Sequence, residues 1–288
     1  MSKRNLLICF DAFGTLFTPK TPVARQYAEV ATTLCSRSFG EDEVSRSFKT
    51  AYKNESKKNP NFGKANGLNP EKWWTNPLIG KDEKLPSKLA PKLLHRFWSE
   101  EGYMLLPGAS LLLNRLRTTR PAGYESVVVG VITNSDPRVP DILSSLGVRV
   151  SPLRYGKPVP EHQKTKDNDI EFFVMSYDLG HEKPDSRIFA AAEGIGMLDQ
   201  GEELQATRSG RTAAKRWEKI YIGDEYDKDV VGAVDAGWKA ILVDSEHQGR
   251  DSVVWWREHD PVGTLQELFG SSSSVGFKSL SKLAEWIH

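Results

Sequence analysis

Side chains that can attack, hold or neutralise an anionic group follow four apolar stretches of this sequence. They are Asp11, Thr133 with Asn134, Lys183, and Asp224 with Asp229. Each set stands beyond the end of a predicted strand, where the loops of a parallel sheet carry ligand sites, so we expect the sets to converge. They suit attack by the Asp11 carboxylate, with Thr133 holding oxygens and Lys183 neutralising charge. Asp11, Asp224 and Asp229 also offer the hard oxygen ligands that Mg²⁺ prefers.

Five short apolar stretches are the predicted strands that would position these side chains. They are LLICF (6–10), SVVVGVIT (126–133), IEFFVMS (170–176), KIYIGD (219–224) and KAILVD (239–244). Helical patterns alternate with them, beginning at Pro107, Pro137, Lys183 and Asp229. Strands that alternate with helices predict an α/β fold with a parallel sheet and right-handed crossovers.

The segment between the first two predicted strands has helical rather than strand spacing. Its pattern includes Val23, Tyr27 and Val30, and Asn69-Pro70 forms a helix start before Trp73 and Trp74. We therefore predict an all-helical cap domain at 18–105, inserted into a core domain made of 1–17 and 106–288. The insertion point places the cap above the carboxyl ends of the strands.

Two interpretations stay open for the tryptophan pair in that cap. Trp73 and Trp74, with Asn61 and Asn66, can line a substrate pocket between the domains, or the paired rings can fill the interior of the cap.

Composition limits the partners and the compartment. Lys and Arg number 39 and Asp and Glu 38, so nothing favours a nucleic acid or a membrane surface as partner. No apolar stretch is long enough for a membrane span, and the two cysteines, Cys9 and Cys35, form no metal pattern. We expect a cytoplasmic or nuclear protein that acts on a small molecule, and the sequence predicts no oligomeric state.

Two polar stretches look like surface insertions, 151–169 and 199–216. The second contains Arg208, Arg211, Lys215 and Arg216, a pattern that also suits an import signal or a phosphate-attracting patch. Because no aromatic residues lie among these charges, a solvated loop is the favoured interpretation.

Four motifs in order resemble the haloacid dehalogenase superfamily of aspartate-nucleophile hydrolases. The matching segments are ICFDAFGTLF, GVITNSD, HEKPDSRIF and YIGDEYDKDVVGAVDAGWKAILVD. The segment NPNFGKANGLNPEKWW, with GDEYDKD, is similar more narrowly to the haloacid dehalogenase-like hydrolase domain-containing protein 3 group. The resemblance implies a Rossmannoid parallel-sheet core with a helical cap.

The resemblance also implies a role for each motif residue. Asp11 takes the nucleophile position, Thr133 the oxygen-binding hydroxyl and Lys183 the charge stabiliser. Asp224 is the principal Mg²⁺ acid, Asp229 lies behind the direct ligands of the metal site or binds through a water, and the Phe13 backbone carbonyl completes the site. The expected substrate contacts are Gly14, Thr15, Asn134, Trp73 and Trp74.

Phe13 is the departure from the family pattern. Family phosphatases have an aspartic acid there, which protonates the leaving oxygen and then activates water, and general catalysis of this kind is worth roughly 10²- to 10⁴-fold in rate. Tyr226 and His181 stand beside motif residues and are candidate replacements, although loop packing is the default interpretation. We therefore expect a phosphorylated metabolite with a good leaving group.

Two other functions compete with a Mg²⁺-dependent phosphatase. The family's 2-haloacid dehalogenases carry an aromatic residue at the Phe13 position and work without metal, but they have neutral residues where Gly223-Asp224 stands here. Arg25 is the nearest candidate for their carboxylate-binding arginine, and an exposed helical arginine is the favoured interpretation. The third function is a binding or regulatory protein with little turnover.

Overall fold

A parallel sheet lies at the centre of the part of the chain that the computed structural model describes, which is residues 4–35, 38–79, 86–160, 167–198, 217–244, 253–256 and 260–288. The described residues form seven strands in this sheet: β1 (Arg4–Phe10), β4 (Tyr124–Thr133), β5 (Phe172–Met175), β6 (Trp217–Gly223), β7 (Lys239–Val243), β8 (Val254–Trp255) and β9 (Ser274–Phe277). Their spatial order is β5-β4-β1-β6-β7-β9-β8, and all adjacent pairs are parallel. The predicted α/β class and the five predicted strands are confirmed; β8 and β9 were not predicted.

The central strand β1 is buried on both faces of the sheet. Leu6, Ile8 and Phe10 pack into one apolar cluster, and Leu7 and Cys9 pack into the other. This alternation follows from the two-residue period of a strand, and burial on both faces explains the unbroken apolar run in the sequence. The buried Cys9 thiol is free.

Helices cover both faces of this sheet. They are α5 (Ala109–Thr118), α6 (Arg138–Ser145), α7 (Ser176–Leu179), α8 (Ser186–Leu198), a π-helical turn (Tyr226–Val231), α9 (Gly232–Asp235), α10 (Leu265–Phe269) and α11 (Leu280–Ala284). Apolar residues of α5, α6, α10 and α11 belong to the first cluster, and those of α8 and α9 belong to the second. The helices predicted after Pro107, Pro137 and Lys183 are confirmed, while the one predicted from Asp229 begins as a π-helical turn.

A short antiparallel ribbon joins the remaining helices to the sheet. Strand β2 (Phe17–Pro19) pairs with β3 (Tyr103–Leu105). The ribbon lies at the predicted boundaries, 17/18 and 105/106, and between its strands are α1 (Val23–Leu34), α2 (Glu41–Lys58), a 3₁₀ segment (Asn61–Asn66), α3 (Pro70–Ile79) and α4 (Leu89–Arg96). We call residues 20–102 the helical insertion. Its status as a separate domain stays a prediction.

Helix α3 begins where the sequence predicts. The Asn69 side-chain oxygen accepts a hydrogen bond from the Lys72 backbone NH at 2.8 Å, and Pro70 occupies the first helical position, where its missing NH costs nothing. This start fixes the rotation of the helix and therefore the directions of its two tryptophans. Trp73 points into the helical insertion, where it is 1% exposed and its indole NH donates to the Asn59 carbonyl at 2.8 Å.

The helical insertion contacts the sheet at its carboxyl edge. The Asn61 amide donates to the Ser176 carbonyl at 2.7 Å, and the Ser176 hydroxyl donates back to the Asn61 side-chain oxygen at 2.9 Å. The Tyr177 hydroxyl donates to the Leu68 carbonyl at 3.0 Å. The insertion therefore lies above the strand ends, as its position in the sequence predicts.

Among the described residues, no helix has the length and hydropathy that crossing a membrane requires. The predicted surface loop at 199–216 lies outside the described residues, as do 161–166 of the loop at 151–169.

Candidate active site

A cleft of about 350 Å³ opens between the strand ends and the helical insertion. Asp11 follows β1, Thr133 ends β4, and both line this cleft together with Asn134 and Lys183. Thr133 is 2% exposed, and its hydroxyl makes no hydrogen bond with any described residue. The expected convergence of these side chains on one spot is therefore present.

Lys183 is the central cation of the cleft. Its ammonium nitrogen lies 3.1 Å from Asp11 Oδ1 and donates to Asp229 Oδ1 at 2.7 Å. It also donates to the Tyr221 hydroxyl at 2.7 Å, which in turn donates to the Ile132 carbonyl at 2.6 Å. Burial lowers the pKa of Lys183, but the charges of Asp11 and Asp229 outweigh it and leave the pKa raised. The ammonium group is therefore held charged against Asp11.

Asn134 holds the Lys183 backbone in place. Its amide group donates to the Lys183 carbonyl at 3.0 Å, and its side-chain oxygen accepts from the Lys183 NH at 2.6 Å. Because both ends of the amide are used in this way, Asn134 positions the lysine. Asn134 also lines the cleft, so its contact with substrate stays a prediction beside this positioning role.

Three carboxylates meet beside Lys183. Asp11, Asp224 and Asp229 each place an oxygen within 4.8 Å of the others. Burial, together with the charges of Asp11 and Asp229, raises the pKa of Asp224 to about 7, although the Thr15 hydroxyl acts in the opposite direction. One lysine opposite three acids leaves an excess of negative charge, which a cation would offset.

The hydrogen bonds of these acids separate their possible roles. Asp229 uses both oxygens, one for Lys183 and one for the Glu225 backbone NH at 2.9 Å. Asp224 uses Oδ1 for the Thr15 hydroxyl at 2.7 Å, and its Oδ2 has no partner among the described residues. Apart from its ion pair with Lys183, the Asp11 side chain has no hydrogen-bond partner among the described residues, and its Oδ1 is buried.

This donor set fits a divalent cation. The Asp11 carboxylate, whose buried Oδ1 has only the ion pair with Lys183, and the free oxygen of Asp224 are hard ligands of the kind that Mg²⁺ binds. The Phe13 carbonyl accepts no hydrogen bond from a described residue and follows Asp11 closely in the chain. Asp229, with both oxygens occupied, is better suited to holding Lys183 than to binding the ion directly.

Two glycines allow the acids to approach so closely. A Cβ on Gly14, whose φ is +84°, would lie 2.3 Å from Asp224 Oδ2, and a Cβ on Gly223 would lie 2.2 Å from Asp229 Oδ2. Only glycine tolerates these positions without displacing a carboxylate. Gly14 and Thr15 therefore both position Asp224, and their predicted contact with substrate stays a prediction.

Phe13 stands in the cleft where family phosphatases have their acid. Its side chain is 46% exposed and makes edge-to-face contacts with Phe17 and Tyr103, at centroid distances of 5.6 and 5.9 Å. Tyr226 and His181, the candidate replacements, do not line the cleft. Nor does Arg25, whose side chain is 59% exposed and pairs with Glu29.

The two tryptophans of α3 have different environments. Trp74 lines the cleft and donates its indole NH to Asp136 Oδ2 at 2.7 Å, whereas Trp73 does not reach the cleft. Each of the two interpretations left open for the pair thus describes one ring, because adjacent residues of a helix point about 100° apart. Contact of Trp74 with substrate stays a prediction.

The sequence patterns did not single out several residues that line the cleft. Arg138, Glu225 and Lys228 are among them, with the rings of Tyr27, Phe48, Tyr52, Phe62, Phe97 and Tyr103. Arg138 stands two residues after the last residue of the GVITNSD motif, and this closeness in the sequence was an available signal. The aromatic residues have the same helical spacing as interior residues, so periodicity alone does not mark them.

Comparison with known proteins agrees with this geometry. Residues 183–267 match the family model described as HAD-hyrolase-like. An uncharacterised hydrolase of Schizosaccharomyces pombe is 29% identical over 83% of this chain and 90% of its own length. Human haloacid dehalogenase-like hydrolase domain-containing protein 3 is 27% identical over 82% of this chain and 81% of its own. The family model and these relatives support a hydrolase of the haloacid dehalogenase superfamily. Within it, the chain resembles the domain-containing protein 3 group.

Solved structures of this superfamily share the fold. A 2-haloacid dehalogenase from Pseudomonas syringae has a TM-score of 0.54 at 18% identity, covering 99% of this chain and 98% of its own. A phosphatase of the superfamily from Thermococcus onnurineus has a TM-score of 0.50 at 18% identity, covering 98% and 96%. Because one is a dehalogenase and the other a phosphatase, the shared fold does not select between the two activities.

Proposed function

We propose that this chain is a Mg²⁺-dependent phosphohydrolase that uses Asp11 as nucleophile on a small phosphorylated molecule. The observation that carries this proposal is the Asp11 carboxylate, which is paired with Lys183 alone and lies beside the free oxygen of Asp224. A nucleophile, a buried cation and a second acid in contact are the elements that transfer of a phosphoryl group requires.

The reaction has two steps. A carboxylate oxygen of Asp11 attacks phosphorus, and the bond between phosphorus and the leaving oxygen breaks, so its electron pair departs with the alcohol or phenol. A water molecule then attacks the phosphorus of the aspartyl-phosphate, which releases phosphate and restores the Asp11 carboxylate. One proton of this water stays on the phosphate that is released, and the other passes to solvent or to the leaving oxygen.

The residues around Asp11 stabilise the charge that develops. Lys183 lies 3.1 Å from the nucleophile, and its ammonium group is held in place by Asp229 and Tyr221. Thr133 offers an unused hydroxyl to a phosphoryl oxygen in the same cleft. Bound Mg²⁺, held by Asp11, Asp224 and the Phe13 carbonyl, would supply further positive charge for the phosphoryl oxygens.

The cleft restricts the leaving group. Phe13 cannot donate a proton, and Glu225, the other described carboxylic acid that lines the cleft besides Asp11, is paired with Lys228 at 2.7 Å. An alkoxide would depart without protonation, whereas a phenoxide or an acyl group needs little help. We therefore propose substrates with a good leaving group.

The acids argue against a metal-free dehalogenase. Asp224 and Asp229 lie within 4.8 Å of the nucleophile, and they would repel a 2-haloacid carboxylate unless a cation were bound. The aromatic Phe13 is the feature that favours a dehalogenase over a phosphatase, but a backbone carbonyl can bind a metal whatever the side chain.

Turnover of an aryl phosphate and of a 2-haloacid, each titrated with Mg²⁺ and then with EDTA, tests the proposal. We expect Mg²⁺-dependent release of phosphate by the wild type, and none above background by Asp11→Asn. Release of halide that EDTA leaves unchanged would establish the dehalogenase instead. A wild type no faster than Asp11→Asn on every substrate would indicate a binding or regulatory protein.

A further inference from the structure

The wall of the cleft opposite Asp11 is made of aromatic rings from the helical insertion. Tyr27 of α1 lies 5.0 Å from Phe48 of α2 between centroids, and Phe48 lies 5.9 Å from Tyr52. Tyr52 in turn lies 6.0 Å from Trp74 of α3. Flat rings attract a planar apolar group through stacking and edge contacts.

One cation is embedded in this aromatic wall. Arg138, at the start of α6, is 8% exposed, and its guanidinium group stacks on the Trp74 ring at 4.0 Å. Asp136 occupies one edge of the group, with Oδ1 lying 3.2 Å from Arg138 Nε. The remaining Asp136 oxygen accepts the hydrogen bond from Trp74 at 2.7 Å. Arg138 is thus held rigidly, by stacking on one face and by an ion pair at Nε.

The terminal edge of this guanidinium group lacks a hydrogen-bond acceptor within the part of the chain that the structure describes. The terminal nitrogens of Arg138 have no hydrogen-bond partner among the described residues, although the side chain is nine-tenths buried and lines the cleft. The hydroxyls of Tyr27, Tyr52 and Tyr103 interact electrostatically with its charge and also have no such partner. Burial raises the pKa of Tyr27 and of Tyr103, so both phenols remain proton donors.

We propose that Arg138 and these tyrosines form a second recognition site, which binds a carboxylate on an aromatic leaving group. The substrate class is then an aryl phosphate whose ring lies along the aromatic wall and carries a carboxylate. This inference rests on the proposed phosphohydrolase function, because it assigns the phosphate to the Asp11 end of the cleft. A carboxylate accepts two parallel hydrogen bonds from the planar guanidinium edge, which a neutral ring cannot do.

Binding of unreactive analogues tests the second site apart from catalysis. Benzylphosphonate and its 3- and 4-carboxy derivatives have a carbon in place of the bridging oxygen, and their affinities are measured by calorimetry with Mg²⁺ present. We expect the better carboxy isomer to bind the wild type about tenfold or more tightly than benzylphosphonate, the gain expected for hydrogen bonds to a charged group. Both isomers are used because they place the carboxylate at different distances from phosphorus.

The decisive variant removes the cation without leaving a buried charge alone. With Asp136→Asn and Arg138→Gln combined, we expect the better carboxy isomer to bind no more tightly than benzylphosphonate, so that the ratio of their affinities is close to one. The matched control is Asp169→Asn with Arg149→Gln. This pair of changes breaks an ion pair of 2.9 Å that lies outside the cleft, and it should keep the wild-type ratio of affinities. Should the first double variant fail to fold, Arg138→Lys keeps the charge but loses the planar fork, and it should still lower the ratio several-fold.

The outcomes separate this inference from the proposed function. A ratio near one in the wild type, or a ratio unchanged by the Arg138 variants, overturns the second site even if aryl phosphates are hydrolysed. A high ratio that depends on Arg138, with no turnover of the corresponding carboxyphenyl phosphates, supports the second site and refutes the phosphohydrolase.

Discussion

Replacing Phe13 with aspartate should restore the proton transfer that this cleft lacks. Phe13 lines the cleft beside Asp11, and its side chain is 46% exposed, so a carboxyl group there can reach bound substrate. Nearby acids disfavour its ionisation, which helps the new group to carry a proton at neutral pH. We expect Phe13→Asp to gain activity towards alkyl phosphates.

The size of this gain follows from the role of the acid. General catalysis contributes roughly 10²- to 10⁴-fold, or about 3–5 kcal/mol of barrier, when the leaving group needs a proton. The structural loss is small, because Phe13 makes two edge contacts worth about 0.5–1.5 kcal/mol each when buried, and half of its surface is already exposed. The variant should therefore fold, with an unfolding free energy lower by roughly 1–2 kcal/mol.

The assay is a series of phosphate esters with increasingly basic leaving groups, measured with saturating Mg²⁺. For the wild type we expect the logarithm of kcat/KM to fall steeply along the series, and for Phe13→Asp to fall much less. Phe13→Leu is the matched control, since it keeps an apolar side chain and adds no acid. Unfolding in urea, followed by circular dichroism, checks that each variant is folded.

Two results would refute the reasoning. A flat series for the wild type would mean that another residue already supplies the proton. An equal gain by Phe13→Asp and Phe13→Leu would mean that removing the ring, rather than adding an acid, causes the change.

Three further predictions concern the acids, the central lysine and the helical insertion. Gly14→Ala should weaken Mg²⁺ binding at least about tenfold in calorimetry, because the new Cβ would lie 2.3 Å from Asp224 Oδ2; Gly147→Ala, with a φ of +85° and open space around its Cβ, should cost similar backbone strain without changing Mg²⁺ affinity. Lys183→Met should lower the unfolding free energy of the metal-free protein by roughly 3–5 kcal/mol in urea, since buried carboxylates lose their cation, and added Mg²⁺ should recover part of it. Trp73→Ala should cost about 3–5 kcal/mol by leaving a cavity in the helical insertion; a cost under 1 kcal/mol would show that the ring is not packed there.

Strand prediction succeeded where a strand is buried on both faces and failed at the far edge of the sheet. Residues 6–10 of β1 are all apolar, and an unbroken apolar run of this length is a clear signal for a buried strand. Strand β9 has the sequence SVGF, in which Gly276 allows the Trp255 ring to approach: a Cβ there would lie 2.6 Å from it. A glycine required by a contact between strands looks like a turn signal in the sequence alone.

The tertiary contacts also give several predicted site residues hydrogen-bond partners that the motifs do not show. Asn134 stands next to Thr133 in the motif, yet its amide is used by the Lys183 backbone, 49 residues away. Thr15 similarly donates to Asp224, 209 residues away. A motif gives the residue type and its strand end, but the hydrogen-bond partner of a side chain depends on which other loop lies beside it.

The sequence by itself determined the α/β order, the insertion point of the helices and the arrival of Asp11, Thr133, Lys183 and Asp224 at one edge. Periodicity is local, and the right-handed crossovers of a parallel sheet leave little freedom in where the strand ends lie. Only the tertiary structure decided that Trp74 rather than Trp73 faces the cleft, and that Arg138 is stacked on it at 4.0 Å. Those contacts join α3 to α6 across the cleft, and they depend on how separately formed elements pack, which no local pattern records.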